Sequence, residues 1–343
     1  MYGKSKEYAA IAIPTLNRYE HLIRCIDSLK KNRYARFSDL YIALDYAPSE
    51  KYTIGRKKVE EYIDNEITGF AHVYIYKHKT NLGPIRNMDF VLEWAAKTHD
   101  RYIFSEDDNE FSQDYLEYIN KTLDMYNNNA DIIAISGYNY PMTVKDIEGE
   151  TYTNNAYFAA FGFAGWFDRY YDMRNRMTTS WLRNVYKDSD VMKELRNQAP
   201  NQYCNFVKGM LGYTTLLEKD KDVWKMDLTY GLYMFSHDKK MIFPVISKVR
   251  NWGYDGSGTN CDVIDYNPDK PITHRNFGFE CQKLDERLEC GNNIPASESE
   301  NQEIIDRVNA FFDVSTKEVF RCYLAYLASR IVGIDNMRKI WKK

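Results

Sequence analysis

The stretch Arg101–Tyr115, RYIFSEDDNEFSQDY, decides how the chain is read. Tyr102, Ile103 and Phe104 make a short apolar run of strand type, and Glu106, Asp107 and Asp108 follow almost at once. Ser112 stands at a helix N-cap position, ahead of Tyr115, Leu116, Ile119, Leu123 and Tyr126 on one helical face. Three consecutive carboxylates at the end of a buried strand repel one another. A hard divalent cation, Mn2+ or Mg2+, relieves that repulsion and brings a diphosphate with it. The plainer reading is that the acids favour the N-terminus of the next helix, where the macrodipole is positive. An isolated acidic triplet does not separate the two readings, but its surroundings do.

Working outward, Ala9–Pro14 is a buried strand ended by proline. Asn17 and Glu20 have capping-box spacing ahead of a helix carrying Leu22, Ile23, Ile26 and Leu29. Leu40–Leu44 is a second strand that closes on Asp45, then come a polar helix around Gly55–Asn65 and a third strand at His72–Tyr76. Asn81–Asn87 (NLGPIRN) leads into a helix with Met88, Val91, Leu92 and Ala95, and Ile132–Ile135 is a further strand beyond the acidic stretch. Short strands alternating with helices predict an α/β fold, a doubly wound, mostly parallel sheet with flanking helices. Ligands of such sheets sit beyond the carboxyl ends of the strands, where Thr15–Arg18, Asp45, Asn81–Asn87 and Glu106–Asp108 all fall. On that rim Asp45 is suited to accept the N3–H of a uracil ring, and Thr15, Asn17 and Arg18 to hold ribose, base or phosphate. Gly83 allows close backbone approach, and Arg86 is a permanent cation for a phosphate. Each has a local alternative, such as a cap at Asn17, a turn at Gly83–Pro84 or a solvated charge at Arg86.

The segments IPTLNRYEHLIRCIDSL (which includes Pro14), ALD at the second strand, NLG–IRN and FSEDDNEFSQDYLEYI resemble the nucleotide-binding half of GT-A-fold glycosyltransferases. The likeness is to family 2 enzymes and to the EDD-bearing N-acetylglucosaminyltransferases of N-glycan synthesis, and it runs from about Tyr8 to Tyr140. It implies a UDP-sugar donor, with Asp107 near the ribose, Asp108 as the metal ligand and Glu106 as a supporting acid. It also implies a donor-binding half at residues 1–140 and an acceptor and catalytic half at 141–262. A loop-rich lid and helical C-terminal extension follow at 263–343.

Beyond Tyr140, Ala156–Phe167 is an aromatic and small-residue run too short to span a bilayer, suited to core or to a sugar-site wall. GWFDRYYDM (Gly165–Met173) resembles the GWxxW-like segment of bacterial relatives, with Asp168 placed to touch substrate or, alternatively, to cap a helix or pair with Arg169 or Arg174. Asn205–Lys219 reads as a helix, and Asp227 then interrupts an apolar, aromatic surrounding. A carboxylate there loses hydration, which raises its pKa and suits proton abstraction. WKMDLTYGLY (Trp224–Tyr233) resembles the W-D-x-x-W segment that supplies the general base, so Asp227 is the expected base; a helix-face Asp is the alternative. Ser247–Cys261 resembles the family loop that closes on the donor diphosphate, with Lys248 and Arg250 as cations. The family's histidine position is Asn260, with His274 or Arg275 as replacements.

Composition narrows the field. A net charge of -3 leaves no nucleic-acid footprint. Six cysteines without C-x-x-C spacing predict free thiols, and no signal-peptide pattern is read at the N-terminus, so the expectation is a cytoplasmic protein. Lys317–Lys343 carries seven basic and two acidic residues on helices with Val319, Phe320, Tyr323, Leu324, Leu327, Ile331 and Val332 on the apolar side. That basic tail either docks on its own domain or rests peripherally on the inner face of the cell membrane. The expected function is metal-dependent, inverting transfer of a hexose or N-acetylhexosamine from a UDP-sugar. The acceptor is a hydroxyl of a glycan or lipid-linked saccharide, in capsule or O-antigen assembly. The alternatives are a sugar nucleotidyltransferase, disfavoured because IPTLNRYE lacks a Gly-rich, basic loop, and a non-catalytic carbohydrate-binding protein on the same fold.

Overall fold

Ala10–Ile13 has no solvent exposure, which places the first strand at the centre of the molecule. The computed structural model describes residues 7–142, 149–212, 226–258, 263–291, 294 and 302–341. In it β1 (Ala10–Thr15) pairs in parallel with β2 (Asp39–Leu44) on one side and β4 (Arg101–Phe104) on the other, and β3 (His72–Lys77) extends the sheet beyond β2. The helices α1 (Tyr19–Lys30), α2 (Thr53–Asn65) and α3 (Pro84–Ala95) make the crossovers, so the carboxyl ends of these four strands share one rim.

The far half of the sheet is mixed. β6 (Ile132–Ser136) does not lie against β4, because β8 (Phe163–Trp166) is inserted antiparallel between them. β9 (Lys240–Pro244) pairs in parallel with β6, and β7 (Thr151–Asn154) closes the edge antiparallel to β9. The eight-stranded order is β3-β2-β1-β4-β8-β6-β9-β7, a mixed, mostly parallel α/β sheet with flanking helices and a helical C-terminal region. The aromatic run Ala156–Phe167 supplies the inserted strand, and Phe163, Ala164 and Trp166 are core. A boundary at residue 140 therefore falls within one continuous sheet.

A small second sheet joins β5 (Asn109–Phe111) to β10 (Val249–Asn251) antiparallel. Ser112 does not cap α4 (Tyr115–Met125), because its hydroxyl is spent on Asp114 at 2.7 Å. The Leu116 N–H is accepted instead by Asn32 Oδ1 at 2.9 Å, a cap from the end of α1 that no local spacing reveals. Asn17 likewise makes no cap, since Arg18 holds the N-cap position of α1 without a side-chain hydrogen bond.

After β8 come α5 (Phe167–Arg176), α6 (Thr179–Lys187), α7 (Ser189–Gln198), α8 (Pro200–Met210) and α9 (Met226–Ser236). The helix expected at Asn205–Lys219 is thus α8, begun earlier by Pro200 at its first turn, and Tyr213–Lys219 lie outside the described residues. The C-terminal helices are α10 (Gln302–Phe312), α11 (Thr316–Val332) and α12 (Ile334–Trp341). Cys25, Cys204, Cys281, Cys290 and Cys322 are free thiols.

Lys248 fastens this assembly and is not a rim cation. Its side chain is 2% exposed and its ammonium bonds Asp114 at the start of α4 and Asp285 Oδ2 at 2.6 Å. Arg287 and Lys248 hold the Asp285 carboxyl down at about 2 against the opposing effect of burial. The expectation that Lys248 meets a diphosphate is therefore corrected, because a phosphate has no path to a nitrogen enclosed by two carboxylates. Lys248→Met would strand two buried charges and should lower unfolding stability by about 3–5 kcal/mol in urea titration.

Candidate active site

β4 delivers Glu106, Asp107 and Asp108 to the rim beside the end of β1. Thr15 Oγ1 donates to Asp107 Oδ2 at 2.7 Å, and Arg18 bridges the triplet, with Nη2 on Asp107 and Nη1 on Asp108 Oδ2 at 2.6 Å. Asn251, arriving on β10, donates from Nδ2 to Asp108 Oδ1 at 2.9 Å. Asp107 and Asp108 are buried, whereas Glu106 is half-buried and makes no side-chain hydrogen bond among the described residues.

Among the described residues Arg18 is the one cation bonded to these acids. Burial, then Asp108, pushes the Glu106 carboxyl up to about 8, while Arg18 pulls it down. Burial also raises Asp107, against the opposing effect of Arg18. For Arg18 burial disfavours the cation, but Asp107 and Asp108 outweigh it and the pKa rises. Oxygen-only donors with excess charge fit a hard divalent cation. Asp108 accepts two hydrogen bonds where a carboxylate has about four acceptor sites, so capacity remains on it. Among the described residues no group of three or more His, Cys, Asp or Glu is placed to hold a metal. A cation at Asp108 would accordingly take its other ligands from substrate oxygens and water.

Asp45 differs. Oδ1 accepts from Tyr46 N at 2.8 Å and Leu82 N at 2.9 Å, and Oδ2 from Asn81 Nδ2 at 3.1 Å and Gly83 N at 2.9 Å. With four donors on two oxygens, no acceptor site remains for a base N–H, which corrects the uracil role expected of it. Asp45 instead folds the loop that starts α3, where Gly83 supplies a φ of +78° ahead of Pro84. Arg86 is exposed in the first turn of that helix, and Asn17 and Pro14 are half-buried beside the end of β1. Arg250 is engaged away from the triplet: its Nε donates to the Gln282 carbonyl at 2.7 Å, its Nη1 lies 3.6 Å from Glu110 Oε2 and its guanidinium lies over Phe279 at 4.5 Å.

Asp227 occupies the first turn of α9 and is exposed, so the dehydration expected of it is absent. Its charge nonetheless raises the pKa of both Glu106 and Tyr140, which puts it in the same electrostatic neighbourhood as the triplet. Trp224 and Asn260 lie outside the described residues. His274 packs against the Phe312 ring at 5.7 Å, with Arg275 Nε 3.2 Å from its ring nitrogen, and no contact among the described residues joins either to Asp107 or Asp108. Asp168 accepts its neighbour's backbone N–H (Arg169) at 2.7 Å, and Arg174 pairs with Asp89.

Sequence reading singled out the Ser247–Cys261 loop but missed that its Asn251 and Trp252, together with His21, build the wall behind Asp108. Trp252 N donates to the Asp108 carbonyl at 2.9 Å, and an added Cβ at Gly253 would stand 2.4 Å from Asp108 Oδ2. His21 ties down the following turn, with Nε2 3.0 Å from Asp255 and 3.2 Å from Ser257, while Arg24 lies over the Trp252 ring at 3.8 Å. The signal was the alternation Val249-Arg250-Asn251 followed by Gly253, which puts a polar residue at the end of a strand.

Gly253→Ala should displace Asp108, cost about 1–3 kcal/mol in thermal unfolding and abolish turnover. Glu106 gives a pH signature. The folded state keeps its proton up to about pH 8, whereas the unfolded chain releases it near the ordinary carboxylate value. The folded state thus binds more protons across that window, and stability falls as pH rises through it. Glu106→Gln should flatten the melting temperature against pH between about pH 5 and about pH 8.

Residues 10–191 match the sequence model of glycosyl transferase family 2, more than half of the chain. No curated protein matches the sequence significantly. Among solved structures the chain is similar to S. aureus TarS residues 1–349 in complex with UDP, at 16% identity and a TM-score of 0.30 over 38% of this chain and 34% of that one. It is also similar to GalNAc-T7 with UDP, GalNAc and Mn2+, at 10% identity and a TM-score of 0.43 over 71% of this chain and 44% of that one. A third is the mannosyltransferase PcManGT from Pyrobaculum calidifontis with GDP-Man and Mn2+, at 10% identity and 0.32 over 51% and 49%. The chain thus spans less than half of the length of each. With the acidic triplet on the rim of a GT-A sheet and the family match covering that whole rim, the chain belongs to glycosyl transferase family 2.

Proposed function

We propose that the protein transfers a hexose or N-acetylhexosamine from a UDP-sugar to a hydroxyl of a glycan or lipid-linked saccharide, in surface polysaccharide assembly, with a divalent cation at Asp108. The observation that carries this reading is the convergence of Glu106, Asp107 and Asp108 at the carboxyl end of β4, with Arg18 and Asn251 leaving acceptor capacity on Asp108. Mn2+ or Mg2+, when bound, neutralises charge on the leaving diphosphate. Asp107, oriented by Thr15, accepts from the donor ribose. Arg18, whose side chain is 20% exposed, releases its hold on Asp108 and serves the diphosphate as a second cation. Asn17, Gly83 and Arg86 line the nucleotide side of the rim. Asp227, exposed in the first turn of α9, takes the hydroxyl proton in one in-line displacement that inverts the anomeric centre.

The test is release of UDP from a panel of UDP-sugars with Mn2+. Asp108→Asn should remove metal-dependent release. Asp227→Asn should leave donor affinity intact while transfer falls by about 10²–10⁴-fold; normal turnover by that variant would reject Asp227 as the base.

A further inference from the structure

Helix α11 docks by one side and turns the other to solvent. Cys322, Tyr326 and Ser329 are its buried residues, with the Ser329 and Tyr186 hydroxyls 2.9 Å apart and the Tyr326 ring edge-on to Tyr186 at 5.2 Å. The opposite side, about 200° away around the helix, carries Phe320, Leu324, Leu327 and Ile331, which are 58%, 49%, 39% and 87% exposed. Of the apolar residues of the tail, Val319 and Tyr323 pack against the core, whereas Phe320, Leu324, Leu327, Ile331 and Val332 are exposed. Phe320, Leu324, Leu327 and Ile331 fall three and four residues apart, which aligns them in one continuous seam. A row of four large apolar side chains is unlike the scattered single ones normal on a protein surface.

Charge selects what covers the seam. Lys317, Arg321 and Arg330 are exposed along the same helix, and Arg330 donates to the Lys187 carbonyl oxygen. The two acids of α11 and α12, Glu318 and Asp335, are paired with Lys208 and Arg183. A second copy of α11 on this seam would bring the same cations from both chains to its edges, with no acid of that helix left to answer them. An anionic bilayer answers both features, taking apolar side chains at the headgroup boundary and cations at lipid phosphates.

We propose that α11 seats the protein on an anionic phospholipid surface, with Phe320, Leu324, Leu327 and Ile331 entering the headgroup–acyl boundary and Lys317, Arg321 and Arg330 meeting the phosphates. The proposal is independent of the transfer reaction, because it is tested without donor, metal or acceptor. The full chain is sedimented with phosphatidylcholine vesicles, with and without phosphatidylglycerol. Binding should be at least about tenfold stronger to the anionic vesicles and weaken with added salt. Leu324→Glu with Leu327→Glu, and separately Arg321→Glu, should each reduce binding by about tenfold with the melting temperature unchanged. If the double variant unfolds, Ile331→Glu, at a side chain 87% exposed, takes its place. Equal binding to neutral and anionic vesicles, or binding to neither, overturns the proposal. So does a concentration-dependent dimer in analytical ultracentrifugation that the seam variants split.

Discussion

Arg18 is the guanidinium that balances the crowded carboxylates, and its two-pronged grip on Asp107 and Asp108 governs the site. Without it, three acids would converge at the end of one strand with no other cation among the described residues bonded to them. With it, one negative charge is balanced and the remainder is left over. Burial first, and then the neighbouring Asp108, raise the Glu106 pKa. A fully neutralised cluster would be an inert structural network, and a wholly unpaired one would oppose folding. The arrangement lies between these, which is the electrostatic condition of a binding centre.

The sheet brings these groups together by topology. Parallel pairing of β1, β2, β3 and β4 aligns the ends of four strands, so residues far apart in sequence share one edge. The second wall has another origin. β10 returns to β5 antiparallel, and Asn251 and Gly253 close on Asp108 from behind. Gln282 holds that strand in place, bonding both the N–H and the carbonyl of Asn251 through one side-chain amide.

What the sequence revealed and what it concealed follow from range. β1, β2, β3, β4 and α1 were legible because apolar runs and helical periodicity are local properties. The rim was legible because strand ends are fixed once the strands are. The insertion of β8 was not, since an Ala- and Gly-rich run carries no mark of which strands it will separate. Asp45 misled because exposure of a carboxylate depends on donors from Asn81–Gly83. Lys248 misled for the same reason, since its partners Asp114 and Asp285 are remote in sequence. Asp227 stood out by its aromatic surroundings in sequence, yet its exposure differs from what those neighbours suggest.

The pairing of β5 with β10 joins residues about 140 positions apart. During synthesis the first four parallel strands can assemble soon after Phe104 leaves the ribosome, but Asp108 then has only its Arg18 side. Its other flank arrives when Asn251 emerges, and the Lys248 fastening is complete only with Asp285. A nascent chain stopped between those points would carry the four parallel strands and an unfinished acidic edge, so the order of translation delays completion of the centre until Asp285 has been added.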